Sequence, residues 1–162
     1  MQHLWSPWRM DYLRTNNTDA GPGCIFCDLP AQAADEVNLI VHRGALAFVI
    51  LNRFPYNNGH LMVVPFEHVP SFEQLEAAAL AEIMALTNQA LAALRRMYQP
   101  QAFNVGANIG AAAGAGIADH VHMHVVPRWV GDTNFMATVA DTRVIPEHLA
   151  ETYRLARANW PG

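Results

Sequence analysis

Short apolar runs rich in β-branched residues dominate the first half of the chain. VNLIV begins at Val37, ALAFVIL begins at Ala45, and HLMVVP runs from His60 to Pro65. Each run has the length and composition of a buried strand. The segment NRFPYNNG, from Asn52 to Gly59, is dense in turn residues and predicts a hairpin-like loop between the second and third runs.

The longest helical pattern runs from Ser71 to Tyr98. Ser71 and Gln74 match a capping box, and Pro100 follows the last apolar position. An apolar stripe is predicted at helical spacing on one face, comprising Leu80, Met84, Thr87, Leu91, Leu94 and Tyr98.

The remaining pattern predicts two more strands and a second helix. A strand from Ala102 to Asn108 precedes the small-residue loop IGAAAGAG, and the strand HVHMHVVPRW runs from His120 to Trp129. Pro146 is predicted as the first residue of a C-terminal helix. A long helix laid on a mostly antiparallel sheet of about five strands is an α+β fold. We expect one domain over residues 1–162, with a core at about 24–130.

Composition and charge exclude several classes of protein. Hydrophobic residues make up 52% of the 162 residues and charged residues 15%, which argues against extended disorder. The net charge of −4 predicts no nucleic-acid or anionic-membrane surface. No signal sequence or membrane span of ~18 apolar residues is recognisable, so we expect a cytoplasmic protein. In that compartment the C-x-x-C of Cys24 and Cys27 indicates a metal or redox role.

Three histidines at alternate positions are the main chemical feature. In a strand, His120, His122 and His124 would share one face, while the intervening Val121, Met123 and Val125 pack into the core. The backbones of the outer two histidines would lie about 13 Å apart, too far for all three to bind one ion without severe bending. Neighbours in the row could still share an ion, so at least one histidine is expected to have another task.

Nucleophilic catalysis is the second use of such a row. A neutral imidazole attacks phosphorus well when its other nitrogen is held as a donor. The glycines between Gly110 and Gly116 let backbone N–H groups approach an anion, and Arg128 adds charge just beyond the row.

HVHMHVV resembles the signature of the histidine-triad nucleotide-binding (HIT) family. NRFPYNNGHLMVVP and FNVGANIG are similar to the family's segments before the triad. LWSPWRMDYL and PRWVGDTNFM resemble a bacterial branch of diadenosine tetraphosphate phosphorylases or adenylyltransferases. The resemblance covers nearly the whole chain and implies a HIT-like fold, a nucleotide substrate and a homodimer.

The resemblance also implies residue roles. His122 would be the nucleophile, His124 would contact the phosphate, and His60 would support the imidazole row. Gly116 stands where many relatives carry Gln or Ser, so backbone N–H groups are expected to replace that contact. Further nucleotide contacts are expected from Ile25 and Phe26 at the base, Asn52 at the ribose, Asn108, Gly114 and Gly116 at the phosphates, and Arg128 and Asn134 at a free phosphate acceptor.

A zinc site is implied by resemblance to the wider superfamily, which includes galactose-1-phosphate uridylyltransferases. There a C-x-x-C pairs with two histidines, which correspond here to His68 and His120. Two thiolates from Cys24 and Cys27 with two imidazoles make a closed tetrahedral structural site. Such an ion would tie the base-pocket loop to the histidine segment.

These features favour an enzyme that splits phosphoanhydrides through a nucleotidyl-histidine, with water or phosphate as acceptor. The resemblance makes diadenosine tetraphosphate the expected substrate. The third triad histidine favours the hydrolase and phosphorylase branches, since the uridylyltransferase branch carries Gln there. The alternatives are a nucleoside phosphoramidate hydrolase and a nucleotide-sensing protein. A DNA-adenylate hydrolase is disfavoured, because the negative net charge provides no strand-binding surface.

Overall fold

The computed structural model describes residues 23–132 and 147–161. Five strands form one sheet in the order β1-β2-β3-β5-β4, and every pair is antiparallel. The strands are β1 (Ile40–Arg43), β2 (Ala47–Leu51), β3 (Leu61–Pro65), β4 (Ala102–Gly106) and β5 (Met123–Arg128). The helices are α1 (Ile25–Ala31), α2 (Asp35–Asn38), α3 (Ala77–Tyr98) and α4 (Leu149–Asn159), with 3₁₀ turns at Phe72–Gln74 and Ala111–Ala113. The predicted α+β fold is confirmed.

Helices cover both faces of the sheet. Helices α3 and α4 pack on the face that presents Val49 and Val63, whereas Phe26 of α1 packs on the opposite face with Phe48. Met62 of β3 is also on the α1 face, and its partner across the strand pair is His124. Since antiparallel partners point to the same side of a sheet, His124 faces α1.

Three strand boundaries differ from the predictions. The run VNLIV is divided, because α2 ends at Asn38 and Leu39 reverses the chain with a φ of 61° before β1 begins. Strand β4 ends at Gly106 rather than Asn108. Strand β5 begins only at Met123, so His120 and His122 precede it. Before Met123 the backbone pairs with another segment, since the Val121 N–H donates to the Val69 carbonyl oxygen at 2.8 Å.

The long helix is shorter than predicted and rotated. Leu75 is buried and has an extended backbone, so it separates the 3₁₀ turn after Ser71 from α3. The predicted capping box of Ser71 and Gln74 does not form. Met84 is 50% exposed. The buried face comprises instead three alanines, Thr87 and three large aliphatic residues, namely Ala79, Ile83, Leu86, Thr87, Ala90, Ala93 and Leu94. At the C-terminus, α4 begins at Leu149, while Pro146 lies outside the described residues.

Among the described residues, α3 has the length and apolar composition of a membrane span. It packs against the sheet and against α4, as the core helix of a globular domain does.

Candidate active site

A cavity opens on the α1 face, between α1, the start of β3 and the histidine segment. Eight of the residues predicted to bind or process a nucleotide line it, namely Ile25, Phe26, Asn52, Asn108, Gly114, Gly116, His122 and His124. Its remaining lining comprises Leu29, Asn38, Leu39, Ile50, Leu51, Arg53, Phe54, Tyr56, Met62 and Ile117. The fold therefore brings together segments that are up to about a hundred residues apart in sequence.

The His122 imidazole is held in one tautomer. Its Nδ1 lies 2.9 Å from the backbone carbonyl oxygen of His120, which can only accept, so Nδ1 carries the proton. The Nε2 atom of the neutral ring is therefore unprotonated and has a lone pair. Burial lowers the pKa of His122, despite the opposing effect of that hydrogen bond. A buried, neutral imidazole with one bare nitrogen at a cavity wall has the properties of a nucleophile.

A second chain of hydrogen bonds sets the tautomer of His124. The backbone N–H of Tyr56 donates to His60 Nδ1 at 3.1 Å, so the His60 proton is on Nε2. His60 Nε2 then donates to His124 Nδ1 at 2.9 Å. The proton of a neutral His124 is therefore on Nε2, where it can donate to an anion. The Tyr56 ring lies against both imidazoles, with centroid distances of 4.6 and 5.7 Å.

His60 should make the stability of the protein sensitive to acid. Burial lowers its pKa well below the ordinary value of 6.5, and the neighbouring His124 and His122 lower it further. Below pH 6.5 the unfolded chain therefore binds a proton that the folded protein rejects. We expect this one group to reduce the free energy of unfolding by up to about 1.4 kcal/mol per pH unit as the pH falls. Urea denaturation of wild type and His60→Gln at pH 7.5, 6.5 and 5.5 measures the difference.

The control for this experiment is His148→Gln, because His148 is exposed. Its unfolding free energy should follow the wild-type pH dependence. Wild type and His60→Gln with parallel pH dependences would show that His60 does not titrate as expected.

Asn52 and the glycine loop border the cavity beside these histidines. Asn52 Oδ1 accepts from the Phe54 N–H at 2.9 Å, so this side chain forms a turn as well as lining the cavity. Gly114 has a φ of 86°, a conformation that a side chain rarely adopts. That glycine lets the loop after Ala111–Ala113 approach the cavity.

Arg128 does not line this cavity, and its contact with an acceptor phosphate stays a prediction. Its guanidinium donates to both Asp132 carboxylate oxygens, at 2.6 and 2.8 Å, and to Asn104 Oδ1 at 2.9 Å. Three of its five N–H donors are thus used near the end of β5. Asn134, the other predicted acceptor residue, lies outside the described residues.

A cluster of metal-ligand side chains includes Cys24 and Cys27, which flank the cavity-lining residues Ile25 and Phe26. One potential ligand atom from each of Cys24, Cys27, His68 and His120 falls within 4.8 Å of all the others. Cys24 Sγ is 3.3 Å from His120 Nδ1, and Cys27 Sγ is 3.4 Å from His68 Nδ1. Ligands placed tetrahedrally at about 2.1 to 2.3 Å from an ion would be about 3.5 Å apart.

The orientation of His120 also fits a cation at the cluster. His120 Nε2 donates to the Pro65 carbonyl oxygen at 2.9 Å, which leaves Nδ1 unprotonated beside the sulfurs and orients the ring. Burial, and then the charge of Cys24, raise the pKa of the Cys27 thiol. Two adjacent thiolates are unfavourable unless a cation lies between them.

Comparison with known proteins agrees with this geometry. The HIT domain family model matches residues 35–130. This chain belongs to the HIT family. Among its relatives, a Mycobacterium tuberculosis protein named AP-4-A phosphorylase is 44% identical over 166 residues, which cover 99% of this chain and 85% of that protein.

Two solved structures share the fold. A zinc-bound histidine triad family protein from Mycobacterium smegmatis superposes with a TM-score of 0.69 and 27% identity, over 85% of this chain and 92% of its own. A Plasmodium falciparum diadenosine triphosphate hydrolase superposes with a TM-score of 0.60 over 75% of each chain. At 18% identity, the latter shows the fold alone.

Four polar or aromatic residues that line the cavity of this HIT site were missed by the sequence predictions, namely Asn38, Arg53, Phe54 and Tyr56. Tyr56 could have been found, since it lies in the loop just before His60. Asn38 could not, because it falls inside VNLIV, where the pattern predicted a strand with no role in binding.

Proposed function

We propose that this HIT protein is a dinucleoside polyphosphate phosphorylase that acts on diadenosine tetraphosphate through a nucleotidyl intermediate on His122. The observation that carries the proposal is the fixed tautomer of His122, which turns a bare Nε2 to a cavity suited to a nucleotide. The 44% identity to a relative named AP-4-A phosphorylase, over 99% of this chain, supports the choice of substrate and acceptor.

The reaction has two displacement steps. His122 Nε2 attacks the phosphorus of one adenosine 5′-phosphate, an N–P bond forms, and the P–O bond to the other half breaks to release ATP. An oxygen of inorganic phosphate then attacks the same phosphorus, the N–P bond breaks, and ADP leaves. His122 returns to its neutral form, ready for another turnover.

The residues around His122 would bind and orient the nucleotide. His124, with its Nε2 proton set by His60, would donate to a phosphate oxygen and stabilise developing negative charge. Ile25 and Phe26 would hold the base and Asn52 the ribose. Asn108 and the backbone of the loop containing Gly114 and Gly116 would contact the phosphates.

We also propose that Cys24, Cys27, His68 and His120 bind a structural zinc ion. The zinc-bound M. smegmatis relative and the donor distances described above support this assignment. Zinc would neutralise the two thiolates and join α1 to the histidine segment. Four protein ligands leave no position for zinc-bound water, so all bonds to substrate would be made by the protein's own residues. The homodimer remains a prediction.

Product analysis tests the proposed reaction. The protein is incubated with diadenosine tetraphosphate in the presence and absence of ³²P-labelled inorganic phosphate, and the nucleotides are separated. We expect phosphate-dependent formation of ATP and ADP in equal amounts, with the label in ADP. AMP plus ATP at a rate indifferent to phosphate would identify a hydrolase. No cleavage would favour the phosphoramidate or sensing alternatives.

A further inference from the structure

The base end of the cavity contains a buried polar side chain with a fixed orientation. Asn38, the last residue of α2, is 5% exposed and lines the cavity near Leu29. Its Nδ2 donates to the Leu29 carbonyl oxygen at 2.9 Å and to Gln32 Oε1 at 3.0 Å. Because a carbonyl can only accept, Nδ2 must be the atom on that side of the amide.

The carbonyl oxygen of the same amide is left for a ligand. In the described part of the chain, Asn38 Oδ1 has no hydrogen-bond partner, although the residue is almost fully buried. Some polar atoms of the described residues are fully enclosed by protein and have no hydrogen-bond partner, but Asn38 Oδ1 is not one of these enclosed atoms. With both amide hydrogens used, Oδ1 is the part of the side chain that can meet a molecule in the cavity. Leaving a buried acceptor without a donor costs free energy, so a donor on the ligand would be favoured.

We propose that Asn38 Oδ1 accepts a hydrogen bond from the exocyclic amino group of the substrate base, so that the site selects 6-aminopurine over 6-oxopurine nucleotides. This inference rests on the proposed function, since it assumes that a nucleotide base occupies the cavity beside Leu29.

Specificity follows from the chemistry of the purine ring. The other cavity-lining side chains at this end are apolar, including Leu29, Leu39 and Ile50, and they would pack on any purine alike. Adenine has an amino donor at position 6, whereas hypoxanthine and guanine have an oxygen acceptor there. An oxygen facing Asn38 Oδ1 would leave two acceptors without a proton between them. The amide cannot flip to correct this, because Oδ1 would then face the Leu29 carbonyl.

Nucleotide binding by titration calorimetry tests the inference. The ligands are AMP, IMP and purine riboside 5′-monophosphate, which differ only at and beside position 6. For wild type we expect AMP to bind about tenfold more tightly than IMP and about fivefold more tightly than the purine riboside nucleotide. Asn38→Ala should bind all three within about twofold of one another.

The matched control is Gln32→Ala, which removes one anchor of the amide but leaves the Leu29 contact and Oδ1 in place. It should retain the preference for AMP. Equal affinities of wild type for AMP and IMP would overturn the inference without any variant.

Cleavage assays separate this inference from the proposed function. Equal kcat/KM values for diadenosine and diinosine tetraphosphate would overturn the role of Asn38 and leave the reaction intact. A protein that binds AMP selectively but cleaves neither compound would retain the inference and lose the phosphorylase.

Discussion

His122→Asn should lower the turnover of diadenosine tetraphosphate by several orders of magnitude, while the affinity for AMP stays within roughly tenfold of wild type. The amide of the introduced Asn side chain can still donate to the His120 carbonyl oxygen, which in wild type accepts from the His122 ring. It therefore fills much of the same space but provides no nucleophilic nitrogen. Turnover is measured by single-turnover product formation, and affinity by titration calorimetry.

His124→Asn and His148→Asn are the controls for this experiment. His124→Asn should do less harm than His122→Asn, because it removes only orientation and charge stabilisation. His148 is exposed and distant in sequence from the cavity residues, so its variant should keep wild-type turnover. Near-wild-type turnover of His122→Asn would rule out the covalent path.

The general fold was predictable because the apolar pattern is strong where the sheet is buried. β2 and β3 lie inside the runs predicted for them, and every one of their residues is buried. The period of two also placed Val121 and Val125 in the core correctly. Element ends were less predictable, since they depend on tertiary contacts such as the burial of Leu75 that delays α3.

The site was predictable only as far as its residues lie in recognisable motifs. The triad spacing indicated a shared role, but not that His120 turns to the cysteines while its carbonyl holds His122. The position of Arg128 beside the histidines suggested a phosphate contact, but not that Asp132 four residues later binds the guanidinium. These contacts lie just before and just after strand β5, whose ends the local pattern does not determine.

Replacing the proposed zinc ligands should strongly change both the metal content and the thermal stability of the protein. Purified wild-type protein is expected to contain about one zinc per chain. Cys24→Ser with Cys27→Ser should lose the metal and lower the melting temperature by roughly 10 °C, because metal-binding energy is coupled to folding. Metal analysis and thermal denaturation measure the two results. Native protein without zinc, and with both thiols freely titrating, would contradict the assignment.

Zinc loss should also change the kinetic constants, because His120 connects the metal cluster to His122. The side chain of His120 lies in the metal cluster, its backbone carbonyl holds Nδ1 of His122, and the Phe26 ring contacts both imidazoles at centroid distances of 5.5 and 5.0 Å. Releasing the cluster would free both the Phe26 ring, which is proposed to hold the base, and the carbonyl that orients the proposed nucleophile, His122. We therefore expect chelation of wild type to raise KM and lower kcat together, with recovery on adding zinc. The double Ser variant should not recover. If chelation lowers the melting temperature but leaves KM and kcat unchanged, the ion stabilises the fold and does not affect catalysis.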